Sequence, residues 1–440
     1  MPSALKISAN WERLEQGTPE EKACFAALGI QCNNIWLTEG IDSSANRVRT
    51  EPFLSGYHLA EWLAWNWWRL RWEPRSKVAD WVFAHRLSTI GEGYAWPNIT
   101  VFSDGQRTAL ISKPSPAAPA TSFRYISDVA TIVPSDDFEF AMDAFINQIL
   151  GQLKEENIQQ SNLMRLWPEL LAERRDRVAS ERRKLEALLG HEPDEGDPAI
   201  LDRLLDEARQ LGTLAIEELA ANHAQGGPLP TIAELETVAQ AKGYDTSRSD
   251  IVKFGATDLR PTRDTPAWLI GATAARQLRE QVGLGSEPIT NSRLTDMAGA
   301  PSESLSDGAA DGALSFIMSK GSGRGRLVFR SKWGSGRRFE LARLLADSII
   351  STPHSALSVA TRAYTYRQKM QRSFAAEFLS PFDTVEAMLN GDYSDEAQSD
   401  VARYFGVSGR TIQTLLVNHH RLDRETIGYE FYGDGGSLAA

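Results

Sequence analysis

The sequence predicts an α+β protein, mainly helical, built as two or three domains. Three observations carry that expectation. At 440 residues the chain exceeds what one ordinary core supports. Apolar content of 42% and charged content of 24% fall in the range of soluble globular proteins. Strand signals concentrate before residue 145 and again near 312–333, whereas apolar residues at helical spacing dominate elsewhere.

The elements follow in chain order. Residues 1–145 read as an N-terminal domain of mixed α/β character. "NNIWLTEG" (33–40) is a short strand, "GYHLAEWLAWNWWRLRW" (56–72) a helix, and "NITVFSDGQRTALIS" (98–112) a hairpin whose Asp104-Gly105 pair suits a primed turn. "SFRYISDVATIV" (122–133) is a further strand, and "SDDFEFAMDAFINQIL" (135–150) opens a helix with serine and aspartate in capping positions. Residues 146–262 read as a central helical bundle, carried by "NLMRLWPELLAERRDRVASERRKLEALLG" and "PAILDRLLDEARQLGTLAIEELAAN" on either side of the loop "GHEPDEGDP". Residues 263–426 form the third region. It has a helix after Pro266, strands "GALSFIMSK" and "RGRLVFRSKW" paired around "GSG", and helices at about 337–351, 364–379, 394–405 and 409–418. Residues 427–440 read as a flexible tail.

Composition excludes several functions. No run of eighteen apolar residues is present, so no helix is expected to span a bilayer and no membrane partner is expected. "MPSALKISANWERLEQG" lacks the basic-then-apolar order of a secretory signal, and only two cysteines occur, Cys24 and Cys32. A cytoplasmic protein with two ordinary thiols is the expectation. A net charge of −11 argues against general coating of nucleic acid. Between Lys320 and Arg372, however, twelve Lys or Arg stand against two acids, Glu340 and Asp347, which suggests a local basic patch.

The segment from about 263 to 421 resembles the ImmA/IrrE family of zinc peptidases. "RFELARLLAD" (338–347) matches the family's arginine-phenylalanine pair and its following L-A-H-E-L-G-H helix. "SFAAEFLSP" (373–381) matches the later helix that supplies a third ligand. The resemblance implies a zincin-like domain, ending in helices of helix-turn-helix style. In such a site two histidines one turn apart grip zinc, and a glutamate beside the first acts as general base. Here those positions hold Arg343, Asp347 and Leu344, and of the ligand set only the distal carboxylate Glu377 remains. Arginine does not ligate zinc and leucine moves no proton. The expectation is therefore a pseudo-peptidase with neither metal nor other cofactor. Arg343 is expected to lie near the former zinc position, paired with Asp347, Glu377 or both. Two alternatives stay open: an unrelated amphipathic core helix, and a relocated metal site using Asp347, Glu377 and a histidine such as His354.

"QSDVARYFGVSGRTIQTLLV" (398–417) fits a helix-turn-helix, with Ala402 small at the helix crossing, Gly406 in the turn, Ser408 as N-cap and Ile412 as a core contact. Arg410, Thr411, Gln413 and Thr414 are the candidate nucleic-acid contacts, unless these helices only pack on the core. His419-His420 reads as a surface end. In the helix 56–72, Trp62, Trp65, Trp68 and Trp72 fall near one face, which is either core or a partner surface.

The resulting expectation is a catalytically inactive ImmA/IrrE-like protein that binds a protein partner. It would act as a regulatory or scaffold component of a bacterial or phage stress, mobile-element or defence system. The alternatives are a DNA-binding transcriptional regulator acting through 398–417, and an active metallopeptidase with relocated ligands.

Overall fold

The structure is a computed structural model that describes residues 4–76, 78, 80–116, 122–255, 262, 265–320, 323–350 and 356–422. It is α+β and mostly helical, with several small sheets. Among the described residues no helix is long and apolar enough to cross a membrane. The expected tail, 427–440, lies outside the described residues.

The chain divides after Leu201 into two compact units. The expected central bundle is therefore not a body of its own. Helices Ser135–Glu155, Asn162–Arg175 and Arg177–Leu189 place Phe138, Phe145, Ile149, Leu163, Trp167 and Ala187 in the core of the first unit. Helical periodicity marks an apolar stripe but not the surface that covers it.

In the first unit, strands Leu5–Trp11, Phe25–Cys32 and Ile35–Trp36 form an antiparallel sheet, with Phe53–Ser55 also paired to Phe25–Cys32. Asn98–Ser103, Arg107–Lys113 and Val129–Pro134 make a second sheet. The hairpin turn sits one residue later than expected. Gly105 adopts a φ of 99° and the Asp104 carboxylate accepts from the amides of Gln106 and Arg107, at 3.1 and 2.9 Å. "SFRYISDVATIV" is two strands, Phe123–Tyr125 and Val129–Pro134, rather than one. Ser135 is the first helical residue rather than a cap, and its hydroxyl meets those of Ser103 and Thr108. Both cysteines are buried and free, and burial pushes the Cys24 thiol up to about 12.

The tryptophan helix is broken. It runs Gly56–Trp65, stops at Asn66 and restarts as Trp67–Trp72. Asn66 donates from its side chain to the Trp62 carbonyl at 2.8 Å, a local bond that competes with helix propagation. The four indoles therefore do not share one exposed face. Trp68 is 3% exposed and donates to Glu173, Trp62 and Trp72 are half-buried, and only Trp65, at 55%, stands in solvent.

The second unit is built on one antiparallel sheet, in the order Tyr244–Ser247, Arg324–Val328, Ser315–Lys320, Leu357–Ala360. The hairpin between the two central strands was expected; both outer strands were not. The helices Gly334–Ile350, Tyr366–Leu379, Asp395–Phe405 and Gly409–Asn418 match the sequence reading closely. Their apolar residues join those of Ala267–Gln281 in one core that includes Leu341, Leu344, Leu345, Phe374, Phe378, Ile412 and Leu416.

Candidate functional site

The helix Gly334–Ile350 carries three of the four positions, Arg343, Leu344 and Asp347, that the sequence resemblance assigns to a metal site. Every residue from Glu340 to Asp347 is buried, so no part of that stretch is a solvated face. A helix enclosed on all sides must find a partner inside the protein for each polar group it carries. Arg337 donates to the carbonyls of Ser331, Ser304 and Ala309 at 3.1, 2.9 and 2.8 Å, and to the Tyr244 hydroxyl at 3.0 Å. Arg338 donates to the Ile289 carbonyl at 2.8 Å and to Asn291. Glu340 accepts from the Ser315 hydroxyl at 2.6 Å, from Arg330 at 2.9 Å and from the Ser331 amide at 3.1 Å.

Arg343 does not form the expected ion pair. One nitrogen, Nη2, donates to the Thr361 carbonyl at 2.7 Å and to the Gln368 side-chain carbonyl, while its Nε is buried with no partner among the described residues. Burial first, then the neighbouring charge of Arg372, pulls its pKa down to about 9, so it remains a cation near neutral pH. Asp347 is held instead by Arg367, whose Nε and Nη2 reach its two carboxylate oxygens at 2.5 and 2.6 Å, and by the Gln371 amide at 3.0 Å. Glu377 pairs with Arg276 at 2.9 Å, and burial raises its pKa despite that cation.

The physical reason lies in the register of the two packed helices. Gln368 faces Arg343 and Gln371 faces Asp347, so Glu377 lies nine residues, about 13 Å along the helix axis, beyond the group opposite Arg343. The positions that the resemblance assigns to the metal ligands are thus not brought together. Leu344 is fully buried in the core. Among the described residues no group of three or more His, Cys, Asp or Glu stands where it could hold a metal ion. The residues present do not fit zinc: an arginine fills one ligand position, and the carboxylates at the other two are occupied by arginines. His354, named for a relocated site, lies outside the described residues.

Two glutamines tie this region to the sheet. Gln368 and Gln371 both donate to the Val359 carbonyl, at 3.1 and 3.2 Å, and Gln368 accepts from the Thr361 amide at 2.8 Å. Thr365 caps the same helix and donates its hydroxyl to both oxygens of Glu218 at 2.8 Å. Glu218 is buried, and desolvation pushes it up to about 7 against the opposing charge of Arg367.

The basic run is not one surface patch: Arg337, Arg338 and Arg343 are buried, Arg326, Arg330 and Arg367 are paired with Asp245, Glu340 and Asp347, and Arg324, Lys332 and Arg362 are exposed. In the helix-turn-helix segment Gly406 adopts the expected left-handed conformation and Ser408 caps the second helix. Thr411, however, is buried with its oxygen 2.9 Å from that of Ser408, which removes it from the contact set. The Thr414 hydroxyl donates back to the Arg410 carbonyl at 2.8 Å, Gln413 is half-buried and Arg410 is exposed. His419 is half-buried and stacks on Phe382, so it is a packing residue rather than a surface end. Compared with known proteins, the chain matches no family model, no curated sequence and no solved structure.

Two measurements probe this arrangement. Asp347→Ala strands the Arg367 guanidinium, whose side chain is only 11% exposed, and should cost roughly 3–5 kcal/mol in chemical denaturation, whereas Arg343→Met, which strands no opposite charge, should stay within about 1.5 kcal/mol of wild type. Equal losses would show that the Arg343 cation is itself indispensable. Glu218, with a folded pKa near 7 against 4.5 ordinarily, stabilises the fold below about pH 4.5 and loses that contribution as pH rises through 7. The full change is roughly 3 kcal/mol, so Glu218→Gln should flatten the fall in melting temperature between about pH 5 and pH 8. Parallel pH profiles for the two proteins would show that Glu218 is ionised throughout.

Proposed function

We propose that the chain acts by binding rather than by hydrolysis, as a catalytically inactive ImmA/IrrE-like regulatory or scaffold protein. Its setting would be a bacterial or phage stress, mobile-element or defence system, with a protein as its partner. The observation that carries this reading is the commitment of every former catalytic position to an internal partner: Asp347 to Arg367, Glu377 to Arg276, Arg343 to Thr361 and Gln368, and Leu344 to the core. A peptidase needs a polarised water and a base free to take its proton, and these side chains supply neither. The test is metal analysis of the purified, dialysed protein, with melting followed as zinc is added. Much less than one zinc per chain and an unmoved melting temperature are expected. One retained zinc per chain would overturn the reading in favour of a relocated metallopeptidase site.

A second reading, DNA contact through the helix-turn-helix segment, draws on Arg410 and Gln413, which lie off the face that buries Ile412, Leu415 and Leu416. If it holds, a salt-dependent complex with duplex DNA should weaken in Arg410→Ala/Gln413→Ala while the melting temperature stays unchanged. Absence of any complex at low salt would retire it.

A further inference from the structure

A short turn joins the helices Phe382–Leu389 and Asp395–Phe405, the second of which leads into the helix-turn-helix segment. Asn390 ends the first helix in the left-handed region, with φ 45° and ψ 38°, and Gly391 follows with φ 87°. Local bonds fix both ends of the turn. The Asn390 amide donates to the Glu386 carbonyl at 3.0 Å, and the Asp392 amide to the Leu389 carbonyl at 2.8 Å. The Asp392 carboxylate accepts from the Ser394 amide at 3.0 Å, and Ser394 caps the second helix. The peptide group between Asn390 and Gly391 stays outside this network. The Asn390 carboxamide, the Asn390 carbonyl and the Gly391 N–H make no hydrogen bond among the described residues. Both residues are exposed, and nothing lies within 4 Å of the place that a Cβ on Gly391 would occupy.

That combination is chemically reactive. The carboxamide carbon of an asparagine, Cγ, can be attacked by the amide nitrogen of the next residue, because the product is an unstrained five-membered ring. A side chain on that next residue obstructs the approach. A hydrogen bond on its N–H keeps the nitrogen from losing its proton. Gly391 carries neither obstacle, and glycine passes through conformations closed to other residues, so the peptide can rotate toward the carboxamide. Asn390 is the only asparagine of the chain that precedes a glycine. Asn46 and Asn157 are also left-handed and exposed, but Arg47 and Ile158 follow them, and the Ile158 amide is held by the Leu153 carbonyl at 2.9 Å.

We propose that Asn390–Gly391 is a self-modification site of the folded protein, whose only co-reactant is water. The Gly391 nitrogen bonds to Asn390 Cγ, the Cγ–Nδ2 bond breaks, and the departing nitrogen takes up the Gly391 proton and leaves as ammonia. Water then opens the cyclic imide at one of its two carbonyls, which gives aspartate or isoaspartate. Either product adds one negative charge at the C-terminal end of Phe382–Leu389, where the helix dipole disfavours an anion. In the isoaspartate the main chain also gains a methylene between Leu389 and Asp392, so the entry to the helix-turn-helix segment is altered. Incubation of the full-length protein at mildly alkaline pH, followed by peptide mass mapping that separates aspartate from isoaspartate, tests the proposal. Asn390 should convert before every other asparagine and yield both products. No hydrogen bond has to break, so its rate should lie within about tenfold of that in a synthetic peptide of the same turn, a difference of at most about 1.4 kcal/mol. Asn390→Gln, whose attack would have to close a larger ring, should keep its amide over the same period. An Asn390 that stays intact while another asparagine converts, aspartate formed without isoaspartate, or a native rate below that range would overturn the proposal.

Discussion

The second unit depends on one constraint: a helix with charged residues on several sides is enclosed by protein. Leaving a buried guanidinium or carboxylate without partners costs several kcal/mol, so the surroundings of Gly334–Ile350 are organised to supply acceptors and donors. Arg337 and Arg338 gather carbonyls from the loops before the helix and from the Ile289–Asn291 segment. Arg343 gathers Thr361 and Gln368, and Asp347 gathers Arg367 and Gln371. These bonds tie the turn after the outer strand Leu357–Ala360 and the helix Tyr366–Leu379 to one axis.

That arrangement explains why Arg343 carries no carboxylate. A guanidinium has five donors and can be satisfied by carbonyl oxygens, whose dipoles stabilise it without a full opposite charge. Asp347, with acceptors only, needs donors, and the bidentate fork of Arg367 supplies two at once. The same logic runs through Arg279, which donates to the carbonyls of Phe378, Gly285 and Glu287. Buried arginine in this unit works chiefly as a clasp for backbone. A metal ion would join side chains; these arginines join loops and helix ends.

Polar residues of the clasp come chiefly from one neighbouring helix, Tyr366–Leu379. Arg367 reaches Asp347 with two nitrogens and leaves the third without an acceptor, and Gln371 holds Asp347 from the other side. Glu218, bound to the cap of the same helix, adds a carboxyl whose charge depends on pH near neutrality. A proton on Glu218 would therefore act on the cap of the helix that also holds Asp347.

By itself the sequence determined the elements whose signals are local. The helices of the second unit, the hairpin of its two central strands, and the Gly406 turn with its Ser408 cap all follow from spacing and backbone preference, which act over a few residues. It also determined that Arg343 and Leu344 cannot do the work of a zinc ligand and a base. The tertiary structure alone decided the rest. Which residue of Tyr366–Leu379 faces Arg343 is a matter of helix register, and spacing along one chain does not encode where a second helix crosses it. Whether Arg326, Arg330 or Arg337 meets water or a carbonyl depends on loops distant in sequence, so a basic run could be read as one patch when part of it, Arg337, Arg338 and Arg343, is interior. The strands Tyr244–Ser247 and Leu357–Ala360 are too short to declare themselves, because a strand of four residues is stabilised only by the partner it pairs with. Thr246, Gly325 and Ser319 stand opposite one another for the same reason: their three strands meet only when the sheet forms.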